Sequence, residues 1–329
     1  MNFEGKVETI DPDDFFVKTK YWTDYVKGVL TELKSHYKDD LFQGFDALVF
    51  GDIPNGAGLS SSASLEMASI IMFLGMNERR IPHPGTVQMV HLAQIAQNSE
   101  NSFIGVNCGI MDQFASANAR AGQAIKLDCS DLSFEYCPVE LGEYSILVSN
   151  TNKPRKLDES KYNERRAECE KGFEMLKKLG IKKKVLGKVS VLEWNRLKQK
   201  FNRHPIIKKR LNHVITENGR VKEAVKALSK NNLKKFAQLI NQSGESLRDD
   251  FEVTGLHLDA LVNAARTTEG VIASRMTGAG FGGCTVNLVK TSMIEQIKKD
   301  IEKKYYEKTK IKPEFYLFNI GEGARKLEL

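Results

Sequence analysis

The spacing of apolar and polar residues changes along the chain, and each change predicts an element. Residues 13–37 mix aromatic and polar positions, and within them 25–33 carry the spacing of an amphipathic helix. Phe45-Asp-Ala-Leu-Val-Phe50 is a short apolar run closed by Gly51, which predicts a buried strand. A loop over 51–61 follows. Residues 63–73, rich in Ala, Leu, Met and Ile, predict a buried helix, and 85–98 a second one with Pro84 near its start. Residues 133–138 and 144–149 predict strands around a turn at Gly142.

Beyond Asp158 the pattern becomes helical and charged. Residues 160–179 and 222–247 predict long helices supplied with Lys, Glu, Ala and Leu. After Leu256 a helix leads into a glycine-rich strand–loop–strand segment at 271–289. A helix at 293–304 and a strand at 314–320 close the pattern. A polar stretch with Pro154 at 150–156 marks the expected boundary between a domain over 1–150 and a second over 151–329, two domains being what 329 residues suggest.

The net charge of +7 raises the question of nucleic acid. The basic residues concentrate at 177–188 and 198–210, where only Phe201 interleaves. One aromatic is no row of stacking platforms, so these stretches read as solvated helical faces. Nucleic-acid binding would require steeply salt-dependent affinity; a phosphate-bearing substrate suits a basic protein equally. The longest apolar run, residues 70–76, is far short of a membrane span, and the first residues carry no secretory pattern. Five cysteines at 108, 129, 137, 169 and 284 form no CxxC or Cys/His cluster, which fits a reducing cytoplasm rather than a zinc site or a disulfide framework. A monomer is expected, with no membrane partner.

The loop Gly51-Asp-Ile-Pro-Asn-Gly-Ala-Gly-Leu-Ser-Ser-Ser62 joins the predicted strand to the predicted helix. Its glycines let a backbone approach a ligand, and its serines fall at a helix N-terminus, where unpaired N–H groups and the macrodipole favour an anion. Gly51 and Gly56 have Walker spacing, but Ala57 stands where the lysine belongs. Phosphate here would be held by backbone N–H groups, hydroxyls and a hard cation. The alternative is a tight turn with a serine cap. A second loop, Gly278-Ala-Gly-Phe-Gly-Gly283, matches G-x-G-x-x-G, but the strand-like Cys284-Thr-Val-Asn-Leu-Val289 follows it rather than a helix. That argues against a dinucleotide fingerprint and for a backbone packed closely on a loop or ligand, or a bulged hairpin. Glu100, at the end of a predicted helix, and Asp112, in the mostly apolar Cys108-Gly-Ile-Met-Asp-Gln-Phe114, supply two carboxylates. One on a metal and one near a hydroxyl would serve phosphoryl transfer; paired structural acids are the other reading.

Four segments carry a resemblance. Gly56-Ala-Gly-Leu-Ser-Ser-Ser-Ala-Ser-Leu-Glu66 resembles the central motif of the GHMP kinases, and Met276-Thr-Gly-Ala-Gly-Phe-Gly-Gly283 their third motif. Asn107-Cys-Gly-Ile-Met-Asp-Gln113 and Lys161-Tyr-Asn-Glu-Arg-Arg166 resemble the galactokinase branch. The resemblance implies a two-domain α+β fold: an N-terminal mixed-sheet domain, a ferredoxin-like C-terminal domain, and an active site between them. It implies ATP, Mg²⁺ and galactose as ligands, with transfer to the sugar 1-hydroxyl. Gly56, Ala57, Gly58, Leu59, Ser60, Ser61 and Ser62 would wrap the ATP phosphates. Ser62 and Glu100 would hold Mg²⁺. Asp112 would act on the 1-hydroxyl, Gly109 and Tyr162 would contact the sugar, and Gly278, Gly280, Gly282 and Gly283 would close over the phosphate loop.

The family's opening motif, Gly-Arg-x-Asn-Leu-Ile-Gly-Glu-His-Thr-Asp-Tyr, has no match. Thr23-Asp24-Tyr25 echoes its end without the preceding Arg, Gly-Glu or His. The expectation is a chain starting several dozen residues into the family pattern, with an incomplete first domain and weak or no activity alone. A kinase for a related sugar such as N-acetylgalactosamine, or a non-catalytic ATP or sugar sensor, are the alternatives.

Overall fold

The computed structural model describes residues 7–11, 17–37, 44–54, 57–153 and 159–327. These form two compact units. The first runs to Tyr136 and takes back the tail from Ile320; the second is built chiefly from 137–319.

The first unit is a helical cluster with a small sheet. Helices α1 (Thr23–Tyr37), α2 (Ser61–Met76), α3 (Val87–Asn98) and α4 (Met111–Asn118) precede strands β1 (Gln123–Leu127) and β2 (Phe134–Pro138), which pair with each other. Asp24 fixes the start of α1. Its carboxylate accepts hydrogen bonds from the Thr19 and Lys20 N–H groups at 2.7–3.0 Å and from the Thr19 hydroxyl at 2.8 Å. Burial alone would raise the Asp24 pKa, but these bonds outweigh it and hold the group below the ordinary range. The residue that echoes the family's opening motif thus anchors a helix. Thr86 caps α3 by accepting the Met89 N–H, so that helix starts two residues past the expected Gly85. Val29, Leu33, Met67, Ile70, Met89, Leu92 and Ile95 form the buried centre of the unit.

The run 45–50 is not a strand in the structure, and Leu48 and Phe50 are 91% and 80% exposed. Among the described residues no strand pairs with it, and an apolar run without a ladder partner gains nothing from extending.

The second unit opens with β3 (Tyr144–Asn150), followed by α5 (Glu159–Lys178), α6 (Val191–Leu197), α7 (Pro205–Ser229), α8 (Leu233–Ser246), α9 (Gly255–Arg266), β4 (Val271–Met276), β5 (Cys284–Lys290), α10 (Ile294–Thr309) and β6 (Glu314–Phe318). The sheet is antiparallel in the order β4-β5-β3-β6, with Val148 opposite Val286 and Tyr316. Strand β3, placed by the sequence ahead of the boundary, therefore belongs to this unit's sheet, and the expected strands β2 and β3 flank the expected turn at Gly142. Leu147 and Val289 face α9 and α10, where Leu261, Ile297, Ile301 and Tyr305 bury against them. The opposite face, with Leu288 and Ala273, receives Ala237 and Phe236 of α8. Alternation along each strand supplies both faces.

The single helix expected over 222–247 is two. Asn231 takes a positive φ of 50°, and the Asn232 side chain accepts the Lys235 N–H at 2.9 Å, capping α8. The basic stretch 198–210 is not wholly solvated either: Arg210 is only 2% exposed.

His213 on α7 is buried, with its Nδ1 3.0 Å from the Ser246 hydroxyl and its ring stacked on Phe251 at 4.5 Å. Burial holds its pKa down to about 4, from an ordinary 6.5. The folded chain refuses a proton that the unfolded chain accepts, so this contribution to stability is complete above pH ~6.5 and is lost as pH falls toward 4. The expected loss is about 3 kcal/mol. Urea unfolding at several pH values should show that slope, and His213→Gln should flatten it.

Candidate active site

The loop before α2 has the backbone its glycines imply. Gly58 has φ 75° and Ser60 φ 60°, both left-handed. Helix α2 then starts at Ser61, and the Ser60 carbonyl accepts the Ser64 N–H at 2.9 Å. Ser60 makes no side-chain cap to the helix, so the first-turn N–H groups are not taken by it. Gly56 lies outside the described residues.

Ser62 and Glu100 come together: the Ser62 hydroxyl donates to Glu100 Oε1 at 3.3 Å. Glu100 does not end a helix as expected. It sits second in a π-helical segment, Ser99–Ile104, that continues α3. Helix α1 packs on this segment at Gly28, where a Cβ would overlap the Ser99 hydroxyl. Glu100 is 8% exposed. Its Oε2 accepts the Gln113 side-chain N–H at 2.6 Å and lies 3.5 Å from the Cys108 thiol. Burial raises its pKa; the bonds from Cys108, Ser62 and Gln113 oppose that, and the nearby Asp112 charge adds to it.

Asp112 lies in the first turn of α4 and is half-buried. It directly precedes Gln113, whose side chain binds both Glu100 and Glu66, and its charge adds to the raised pKa of each. Gly109 is exposed just before α4. Tyr162 lies on α5, and its side chain is outside the described residues.

Two members of this cluster had no expected role. Glu66, fully buried on α2, accepts the Gln113 Nε2–H at 3.2 Å. Burial and then the Glu100 charge push its pKa up to about 9, so it is neutral at pH 7. Gln113 thus binds both acids with one amide. The available signal was a lone acid inside an otherwise apolar helix. Cys108, left open by the sequence, donates to Glu100 and Asn101, and burial with the Glu100 charge raises its pKa to about 12. It is a poor nucleophile.

In the second unit, the glycine-rich loop joins β4 to β5, as the strand after it required. Gly278, Gly280, Gly282, Gly283 and Phe281 all have positive φ. At Gly280 a Cβ would overlap the Val253 carbonyl oxygen, which instead accepts the Phe281 N–H at 2.7 Å.

Among the described residues no helix is long and apolar enough to cross a membrane. The models of the GHMP kinase N-terminal domain and GHMP kinase C-terminal domain match residues 24–120 and 224–307, which makes the class that of the GHMP kinases. The galactokinase of Fusobacterium nucleatum is 46% identical over 99% of this chain and 82% of its own length. That of Clostridium acetobutylicum is 44% identical over the same shares. The crystal structure of Lactococcus lactis galactokinase complexed with galactose superposes with a TM-score of 0.88 at 40% identity, covering 97% of this chain and 80% of that one. The chain belongs to the galactokinase family.

Gly280→Ala should lower the stability of the second unit by about 1–3 kcal/mol, through the overlap and the positive φ. Urea unfolding compared with the same change at exposed Gly142, which also has positive φ but no atom near its Cβ, separates the overlap from backbone strain.

Proposed function

We propose that the chain transfers the γ-phosphoryl group of ATP to the 1-hydroxyl of α-D-galactose, giving ADP and α-D-galactose 1-phosphate. The observation that supports this reading is the Ser62–Glu100 hydrogen bond at the start of α2, with Gln113, the residue after Asp112, bound to the same Glu100, in a chain 46% identical to a galactokinase. N–H groups and hydroxyls of 56–62 bind the phosphates. Asp112, beside Glu100, receives the proton of the 1-hydroxyl or stabilises its developing charge. The hydroxyl oxygen then bonds to the γ-phosphorus as the bond to the β–γ bridging oxygen breaks and ADP departs. Gly109 and Tyr162 contact the sugar, and the loop 278–283 covers the phosphates.

Magnesium fits the donors. Ser62 and Glu100 offer hard oxygen atoms 3.3 Å apart, and among the described residues no group of three His, Cys, Asp or Glu gathers to hold a metal. Mg²⁺ commonly takes one or two protein oxygens and completes its shell with water and phosphate. When bound, it neutralises charge on the β- and γ-phosphate oxygens. No two of the five cysteines form a disulfide, which supports a reducing cytoplasm.

Asp112→Asn should cut turnover by about 10²–10⁴-fold with ATP affinity nearly unchanged, read by steady-state kinetics beside nucleotide calorimetry. Loss of ATP binding instead would move Asp112 away from the sugar. Glu100→Ala should raise the Mg²⁺ concentration for half-maximal activity by at least ~10-fold, since even outer partners of a metal ligand cost that much. Unchanged metal dependence would take Glu100 out of the metal site.

A further inference from the structure

Helix α8 runs into a second π-helical segment, Leu247–Phe251, which ends at Glu252 in a left-handed conformation of φ 57°. The carbonyls at such an end lack partners within the helix. Two arginines from other helices supply them. Arg210 of α7 donates from Nη1 to the Asp250 carbonyl at 2.6 Å. Arg165 of α5 donates from Nε to the Phe251 carbonyl at 2.9 Å, and its Nη2 lies 3.5 Å from the Glu252 carbonyl. The next carbonyl, Val253, is the one that accepts the Phe281 N–H of the glycine-rich loop.

The arginines are themselves fixed. Glu168 Oε2 accepts from Arg210 Nε at 2.6 Å and from Arg165 Nη1 at 3.2 Å. Glu252 Oε2 accepts from Arg210 Nη2 at 2.8 Å. Val253 packs with Leu247, Leu258 and Met276, and Phe281 joins that cluster. The Lys161 ammonium sits 5.6 Å from the centre of the Phe281 ring. Two charged side chains buried to 2% and 13% exposure are costly unless each donor finds an acceptor, and here most of the acceptors are the end of one backbone segment.

We infer that Arg165 and Arg210 are positioning residues: they hold the carbonyls of 250–252, and through Val253 they set the glycine-rich loop 278–283 for ATP. This gives Arg165, the fifth residue of the Lys161-Tyr-Asn-Glu-Arg-Arg166 motif, a task that the sugar contact of that motif does not explain. The inference rests on the functional reading only for the last step, from loop to nucleotide.

The test uses Arg165→Met and, because a half-buried arginine can matter for folding, Glu252→Ala at a side chain 40% exposed. Glu252→Gln, which keeps an acceptor for Arg210, is the conservative control. Amide hydrogen exchange reads residues 277–284 against the rest of the second unit, and kinetics read the KM for ATP against that for galactose. The expected result is faster exchange confined to the loop and a KM for ATP raised roughly threefold to tenfold, with the galactose KM unchanged and Glu252→Gln near the unsubstituted chain. Unchanged loop exchange in both variants overturns the inference, as does exchange that rises evenly over the whole unit. Faster loop exchange with an unmoved ATP KM upholds the clamp and overturns the nucleotide role of the loop, which is a failure of the functional reading.

Discussion

The chemistry-bearing residues of the first unit meet at one carboxylate that is nearly out of water. Glu100 is 8% exposed, and burial raises its pKa. Three donors oppose that rise: the Ser62 hydroxyl, the Gln113 amide and the Cys108 thiol. Glu66, bound by the same amide, lies deeper and close to Glu100, and its pKa is pushed up to about 9. The α2 helix brings Ser62 and Glu66, the π segment after α3 brings Glu100, and α4 brings Asp112 and Gln113. The apolar packing of Met67, Ile70, Leu92 and Ile95 holds these elements together.

The two units use the same backbone device. In each, an α-helix passes into a π-helical turn closed by a left-handed residue, Gly105 in the first and Glu252 in the second. Such turns displace the residues that follow from the ordinary helical ladder, and they recur at functional sites. In the first unit the device carries Glu100 itself. In the second it delivers a row of free carbonyls, three met by the Arg165 and Arg210 guanidinium groups and the fourth by Phe281.

Much of this was legible in the sequence and some was not, for physical reasons. Helices α1, α2 and α3 of the first unit and the strand–loop–strand at 271–289 showed because periodicity and glycine placement are local, whereas α4 did not. The loop, the serines and the acids showed as chemistry, and the resemblance ordered them. The run 45–50 misled because apolar composition predicts a strand only if a partner exists, and pairing is not local. The two strands around the turn at Gly142 showed, but their partners did not: β3 pairs across more than a hundred residues with β5 and β6. The break at 230–232 turns on one asparagine accepting a positive φ, which composition does not dictate. Glu66 and Arg210 stayed hidden because a charged residue on an otherwise ordinary helix shows its burial only when its partners, far along the chain, are in place.

The most direct measurement of the central claim is ³¹P NMR of the chain with ATP, Mg²⁺ and galactose. The account predicts a growing galactose 1-phosphate resonance matched by ADP, and none when galactose is omitted. Binding of Mg-ATP with no galactose-dependent ADP, or a phosphorylated product only from a different sugar such as N-acetylgalactosamine, would contradict it.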